Sequence, residues 1–156
     1  MMSFRIKGLD AAQFEHLFGL SDDELKFHNA KRYVADSKPG FPCRITLEDA
    51  GPGETLLLAP YHHQTSRTAY ASQGPIFIRE RKTPRAEWVD EIPEQIKSRL
   101  ISLRAYDGEG MMIDADVVDG GALKPLIERF LANEQARYLH AHFARRGCYA
   151  ALIERY

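Results

Sequence analysis

A strict alternation of apolar and polar residues along several short segments is the feature that most constrains the fold of this chain. In residues 138–144 every second side chain is apolar, namely Leu139, Ala141 and Phe143. The same period of two recurs in segments 43–48, 101–106 and 111–118. Because successive side chains of a strand point to opposite faces, each segment predicts a β-strand with one apolar and one polar face. Further short strands are predicted in 54–61, 74–80 and 148–156. Short turns between such strands favour antiparallel pairing.

Amphipathic helical patterns lie between the strands. The clearest covers 121–133, where apolar residues recur at helical spacing. Shorter patterns cover 11–20 and 93–100, and Ser21 and Glu24 have capping-box spacing at the start of a third. We therefore predict an α+β fold, a largely antiparallel sheet with amphipathic helices packed on one face. Residues 1–156 are expected to form a single globular domain.

Composition excludes several functional classes. The 21 basic and 22 acidic residues leave a net charge of −1, so we expect neither nucleic acid nor an anionic membrane surface as a partner. The longest apolar run, Leu56–Pro60, is far shorter than the ~20 residues of a membrane span. The first residues lack an apolar export segment, which predicts a cytoplasmic protein. Cys43 and Cys148 are therefore expected to be free thiols.

Two turns set the expected strand register. The "YDGEGM" stretch predicts a hairpin with a loop of three residues (107–109) or five (107–111). Either length would place Arg104 on the same face as Asp114 and Asp116, because both loops contain an odd number of residues.

The second turn, "ARRGC", predicts a three-residue loop at 145–147 with Gly147 in the left-handed conformation. That loop would set Ala144 opposite Cys148, His142 opposite Ala150 and His140 opposite Leu152. It would also make Cys148 a diagonal neighbour of His142 on the polar face.

The pair His140 and His142 is the leading candidate for a site. Residues two apart on a strand lie about 6.6 Å from each other on one face, which allows both imidazoles to reach one divalent metal ion or one substrate. The alternative is a solvated sheet face whose polar positions are histidines. The alternating strand segments contain no lysine, whereas Arg, Tyr, Asp and His make directed hydrogen bonds in clefts.

Further candidates follow from the same faces. The predicted catalytic set adds a general base or metal ligand, a guanidinium and a reactive thiol to the two histidines: Asp114, Asp116, Arg104 and Cys148. The predicted metal ligands are His140, His142 and His63, since only one histidine of the "YHHQ" stretch can face the site.

Strong catalytic signatures are absent from the sequence: it has no phosphate-binding glycine loop, zinc-protease motif or nucleophile elbow. Two classes of function therefore remain. One is a small-molecule enzyme with its site on the polar sheet face, in which a metal can assist. The other is a non-catalytic module that binds a ligand or a protein partner on that face. The sequence predicts neither a substrate nor an oligomeric state.

Several segments together resemble a known family. They are "GFPCRITLEDA", "GPIFIRE", "LRAYD", "MMIDADVVDG" and "YLHAHFARRGCYAA". They resemble a bacterial family catalogued as domain of unknown function number twelve hundred and three, over about Gly40 to Arg155. The resemblance implies a small, stand-alone bacterial domain without an assigned activity. It supplies no mechanism, so any site must be argued from the residues.

Overall fold

The computed structural model describes residues 2–156, which form nine strands, three helices and short 3-10 turns. The strands are β1 (Phe4–Lys7), β2 (Lys31–Val34), β3 (Thr55–Gln64), β4 (Ser72–Arg79), β5 (Glu87–Val89), β6 (Leu100–Tyr106), β7 (Met112–Asp119), β8 (Tyr138–Phe143) and β9 (Tyr149–Arg155). The helices are α1 (Asp22–Phe27), α2 (Glu94–Lys97) and α3 (Leu123–Leu131). The predicted α+β fold with largely antiparallel pairing is confirmed. Strands β1, β2 and β5 were not expected from the sequence.

The larger sheet has six antiparallel strands in the order β5-β1-β9-β8-β6-β7. One of its faces is apolar, as the alternation predicted. Leu139 and Ala141 of β8 and Leu103 of β6 are fully buried there. This core also takes the apolar side of α3 and Ile96 of α2. The opposite face of β8 and β6 carries His140, His142 and Arg104, so this side of the sheet is the histidine face.

A second sheet with the order β2-β3-β4 packs against part of the histidine face. Alternation along β3 places Leu57, Ala59 and His63 on one side of this sheet, together with Tyr61. The Tyr61 and Tyr149 rings meet at 5.3 Å between the sheets. Helix α1 contributes its buried Leu25 to this second core, so the helices are divided between two cores. The prediction that the helices all pack on one face of a single sheet is therefore not confirmed.

The predicted strand at 43–48 is wrong. Residues Cys43 to Leu47 form turns, with a backbone hydrogen bond from Leu47 N to Cys43 O and a positive φ of 54° at Leu47. Arg44, which the alternation placed on the polar face of this strand, is only 1% exposed. The apolar alternation here reflects a compact loop whose Cys43 and Ile45 side chains fill the second core.

The predicted face for Asp114 and Asp116 is also wrong. The hairpin loop has five residues, one of the two predicted lengths, since Tyr106 pairs with Met112, but Ala105 pairs with Asp114. Ile113 is the extra residue and forms a β-bulge in β7. Beyond a bulge of one residue, the side chains of a strand lie on the face opposite to the one predicted. Both carboxylates therefore lie on the side opposite Arg104. They are exposed, because β7 is an edge strand, and Asp116 lies 3.4 Å from Arg129 of α3.

A second bulge changes the closing hairpin. His140 pairs with Leu152 as predicted, but His142 pairs with Tyr149 and leaves Ala150 as the extra residue. The predicted pairings of Ala144 with Cys148 and of His142 with Ala150 are therefore wrong. Gly147 does adopt the expected left-handed conformation, with φ 80°. The large phenol ring of Tyr149 therefore lies opposite His142, in place of the methyl group of Ala150.

One local prediction about a helix is confirmed. At the start of α1, Ser21 Oγ accepts a hydrogen bond from Glu24 N, and Ser21 N donates to Glu24 Oε1, which is the predicted capping box. Among residues 2–156, no helix has both the length and the apolar character needed to cross a bilayer.

Candidate functional site

Three histidines meet between the two sheets. The His63 ring lies 4.8 Å from the His142 ring and 6.1 Å from the His140 ring, measured between ring centres. His140 and His142 are 5% and 1% exposed, so they do not form the solvated face that the sequence left open. His63 comes from β3 and is stacked on Tyr149 of β9 at 5.6 Å. The bulge in β9 supplies that stacking partner.

An open cavity of about 220 Å³ borders this cluster. We call it the histidine cavity, and it is lined by His63, Ser72, Gln73, Gly74, Pro75, Arg104, His142, Arg146, Gly147, Cys148 and Tyr149. Its walls are the start of β4 on one side and the β8–β9 turn with β6 on the other. Of the predicted site residues, the structure brings His63, Arg104, His142 and Cys148 to this cavity. His140 lies behind it, against the rings of His63 and Tyr149.

The contacts of His142 determine its tautomer. Its Nδ1 lies 3.0 Å from Gly147 O, and a carbonyl oxygen only accepts hydrogen bonds. Its Nε2 lies 3.4 Å from Nη1 of Arg104, and a guanidinium only donates. His142 is therefore a neutral imidazole that carries its proton on Nδ1, with the lone pair of Nε2 toward Arg104.

Burial makes all three histidines hard to protonate. It lowers the pKa of His140 to about 3, with smaller effects from His142, His63 and Arg104. The pKa of His142 is lowered to about 4, mainly by burial and also by the charge of Arg104. The hydrogen bond to the Gly147 carbonyl acts in the opposite direction and raises this pKa. The pKa of His63 is lowered by burial and by Arg104. At neutral pH the cluster therefore consists of uncharged imidazoles.

Two imidazole nitrogens lack a partner within the described chain. The Nδ1 atoms of His63 and His140 are both buried and form no hydrogen bond within residues 2–156. Buried polar atoms in folded proteins nearly always have a partner, and an exception calls for an explanation such as water, an ion or a ligand. His63 is the one that also lines the cavity.

The fixed charge around the cavity is positive. Arg104 and Arg146 line it, and the fully buried Arg44 lies beside it, bonded to Tyr149 O at 2.8 Å and to Cys148 Sγ at 3.3 Å. Burial lowers the pKa of Arg44 to about 10, which still leaves it charged at neutral pH. Within residues 2–156, none of these three arginines forms an ion pair, and no Asp or Glu lines the cavity.

The predicted metal ligands are close together but not arranged as a ligand set. In the part of the chain that the structure describes, no group of three or more His, Cys, Asp or Glu side chains is placed to hold one metal ion. The expected carboxylate ligands Asp114 and Asp116 are on the other face of the sheet. The arrangement instead offers guanidinium groups, which are hydrogen-bond donors for anions, and neutral imidazoles, each of which has one donor and one acceptor nitrogen.

Sequence reasoning missed Arg44 and Tyr149. Arg44 was assigned to a strand face that does not exist, and since arginine is rarely fully buried, no sequence pattern marked it as a buried residue. Tyr149 reaches the site only because of the bulge in β9. The prediction that Cys43 and Cys148 are free thiols is confirmed.

Comparison with known proteins returns one family. A model described as "Protein of unknown function (DUF1203)" matches residues 40–155, well over half of the chain. The matched segment contains every residue that lines the histidine cavity, and Arg44 as well. Neither the curated proteins nor the solved structures gave a match.

Proposed function

The chain belongs to the DUF1203 family of proteins of unknown function, and from the geometry of the site we propose that it binds a small anionic molecule in the histidine cavity. The observation that carries this proposal is the charge of the lining. Arg104 and Arg146 face the cavity, and no carboxylate of residues 2–156 forms an ion pair with either of them. A carboxylate or a phosphate group would supply the missing negative charge through charge-assisted hydrogen bonds.

The size of the cavity supports a small ligand. Its volume of about 220 Å³ is below the roughly 300–1,000 Å³ of sites that hold drug-sized molecules. Ser72, Gln73 and the imidazole of His63 provide uncharged hydrogen-bonding groups on the wall opposite Arg104. A ligand with one anionic group and a few further heavy atoms fits these dimensions.

The histidines provide the chemistry in this proposal. The lone pair on Nε2 of His142 contacts Arg104, so an anion that binds Arg104 also lies close to this nitrogen. The negative charge of the anion would favour protonated His142 and so raise its low pKa toward neutrality. An imidazole whose pKa lies near the working pH is an effective general acid or base. The proposed function is therefore that of an enzyme in which His142 transfers a proton to or from a bound anion.

The alternative is a non-catalytic module that binds a ligand or a protein partner. A flat, exposed histidine face would favour a protein partner. His142 instead lines a concave cavity and His140 is buried behind it, which favours a small ligand. Binding without turnover remains the second candidate, and the same cavity would serve it.

Sulfate is a suitable probe because it stays a dianion from pH 5 to pH 8. Calorimetric titration should detect one sulfate site, with sodium chloride of equal ionic strength as the reference. Arg104→Gln should weaken binding by about tenfold, the equivalent of ~1.4 kcal/mol for one lost charged contact. Affinity should also increase as the pH is lowered from 7.5 to 6, because bound sulfate raises the pKa of the neighbouring imidazoles and the complex takes up a proton.

Arg145→Gln is the matched control. Arg145 is exposed in the same turn as Arg146 but does not line the cavity, so its loss should leave the sulfate affinity within twofold of the wild type. Equal effects of Arg104→Gln and Arg145→Gln would show that sulfate responds only to surface charge. That result, or sulfate binding no tighter than chloride, would refute the proposed function.

A further inference from the structure

Cys148 has an unusual partner. Its Sγ accepts a hydrogen bond from Nη2 of Arg44 at 3.3 Å. The other donors of Arg44 are bonded to Tyr149 O at 2.8 Å and Pro42 O at 2.6 Å. Arg44 is 1% exposed, and no carboxylate of residues 2–156 pairs with it. The sulfur is thus the one acceptor of this buried cation that can itself become negatively charged.

The sulfur of Cys148 is also placed where a ligand can meet it. Cys148 is partly exposed and lines the histidine cavity, next to Gly147 and within the wall that contains His142. The other thiol, Cys43, is fully buried. A thiolate next to a guanidinium and open to a cavity is the usual environment of a reactive cysteine. Arg104 and Arg146 line the same cavity, so an anionic reagent would be held near the sulfur.

We propose that Cys148 is a covalent modification site that reacts selectively with small anionic electrophiles bound in the histidine cavity. This inference rests on the proposed function, because the same arginines would bind the anionic group. The ligand class is a small carboxylate with an electrophilic carbon beside the carboxylate. In the reaction, Cys148 loses its proton to solvent and its sulfur attacks that carbon. The S–C bond forms as the bond to the leaving group breaks, and the leaving group departs with the electron pair.

Iodoacetate and iodoacetamide form a matched pair of probes. They have nearly the same size and the same leaving group, iodide, but only iodoacetate carries a negative charge. With no cations nearby, a thiolate repels the carboxylate of iodoacetate, so the neutral reagent should react faster. Rates at Cys148 and Cys43 are measured by peptide mass spectrometry, on the folded wild type and on the same protein unfolded in urea.

We expect the rate ratio of iodoacetate to iodoacetamide at Cys148 to be at least about tenfold higher in the folded protein than in urea. Arg146→Gln should reduce that ratio several-fold, whereas Arg145→Gln should preserve it. Sulfate should protect Cys148 from iodoacetate more than from iodoacetamide. Cys43 should stay unmodified in the folded protein, because its sulfur is buried.

Three outcomes would overturn the inference: equal ratios in the folded and unfolded protein, no reaction of folded Cys148 with either reagent, or equal losses in Arg146→Gln and Arg145→Gln. The sulfate titration of the same samples separates this failure from failure of the proposed function. If sulfate binds but the ratio is unchanged, only the inference about Cys148 is wrong. If sulfate does not bind, the anion site itself is wrong.

Discussion

Lowering the pH from 7 to 5 should reduce the free energy of unfolding by about 2 kcal/mol for each of His140 and His142. The unfolded chain protonates both histidines near pH 6.5, whereas burial holds their folded pKa values at about 3 and about 4. Between these values the unfolded state binds more protons than the folded state, so stability falls as the pH falls. Typical domains are stable by only 5–15 kcal/mol, so this loss is large. Urea unfolding followed by Trp88 fluorescence at each pH measures it.

The histidine variants identify the source of this pH dependence. His142→Gln should remove about half of the loss between pH 7 and pH 5, whatever its effect on stability at pH 7. His62→Gln is the control, because His62 is the exposed neighbour of His63 on β3. Carboxylates with lowered pKa values, such as Glu54, contribute mainly below about pH 4.5 and so outside this window. A free energy of unfolding that stays constant from pH 7 to pH 5 would contradict the burial of the histidine cluster.

Arg44→Lys should destabilise the protein by about 3 kcal/mol. The guanidinium of Arg44 bonds Pro42 O, Tyr149 O and Cys148 Sγ at once. A lysine ammonium is a single compact group and cannot reproduce this spread of donors. At least one buried carbonyl should lose its partner, at a cost of about 1–3 kcal/mol, and the buried charge should be less well solvated. Chemical unfolding at pH 7 gives the value.

Arg85→Lys is the matched control for Arg44→Lys. Arg85 is exposed and directs two donors, Nε and Nη2, to the single oxygen of Gly8. One ammonium group can reach one oxygen, so the change should alter stability by no more than about 0.5 kcal/mol. A loss below 1 kcal/mol for Arg44→Lys would mean that Arg44 does not hold the β8–β9 turn in place.

The alternation of apolar and polar residues correctly predicted which side chains of β6 and β8 face the core of the larger sheet. Leu103 and Ala141 lie in the core, and His140 lies on the opposite face, as the period of two requires. The same reasoning failed at bulges. One extra residue in β7 moved Asp114 and Asp116 away from Arg104, and one in β9 brought Tyr149 opposite His142. A bulge changes the register without changing the alternation, so the sequence pattern alone does not reveal it.

The cavity itself depends on contacts between distant segments. His63 of β3 meets His142 of β8 because the small sheet packs on the histidine face, and no local pattern encodes that packing. Arg44 escaped prediction for a related reason, since its partners Tyr149 and Cys148 are more than a hundred residues away. The histidine pair and Arg104 were therefore predictable as features of the strand faces, but the burial of the pair and the nearby Arg44 and Arg146 were not.

The imidazole ring of His142 provides the most direct test of anion binding in the histidine cavity. Two-dimensional NMR of the histidine ring nitrogens at pH 6 reports both the tautomer and the protonation state. Without an added anion, His142 should be neutral with its proton on Nδ1, because Gly147 O accepts from Nδ1 and the pKa is about 4. Saturating sulfate should shift the Nε2 resonance toward that of a protonated ring. A His142 ring that is unchanged by sulfate, or already doubly protonated without it, would contradict the account.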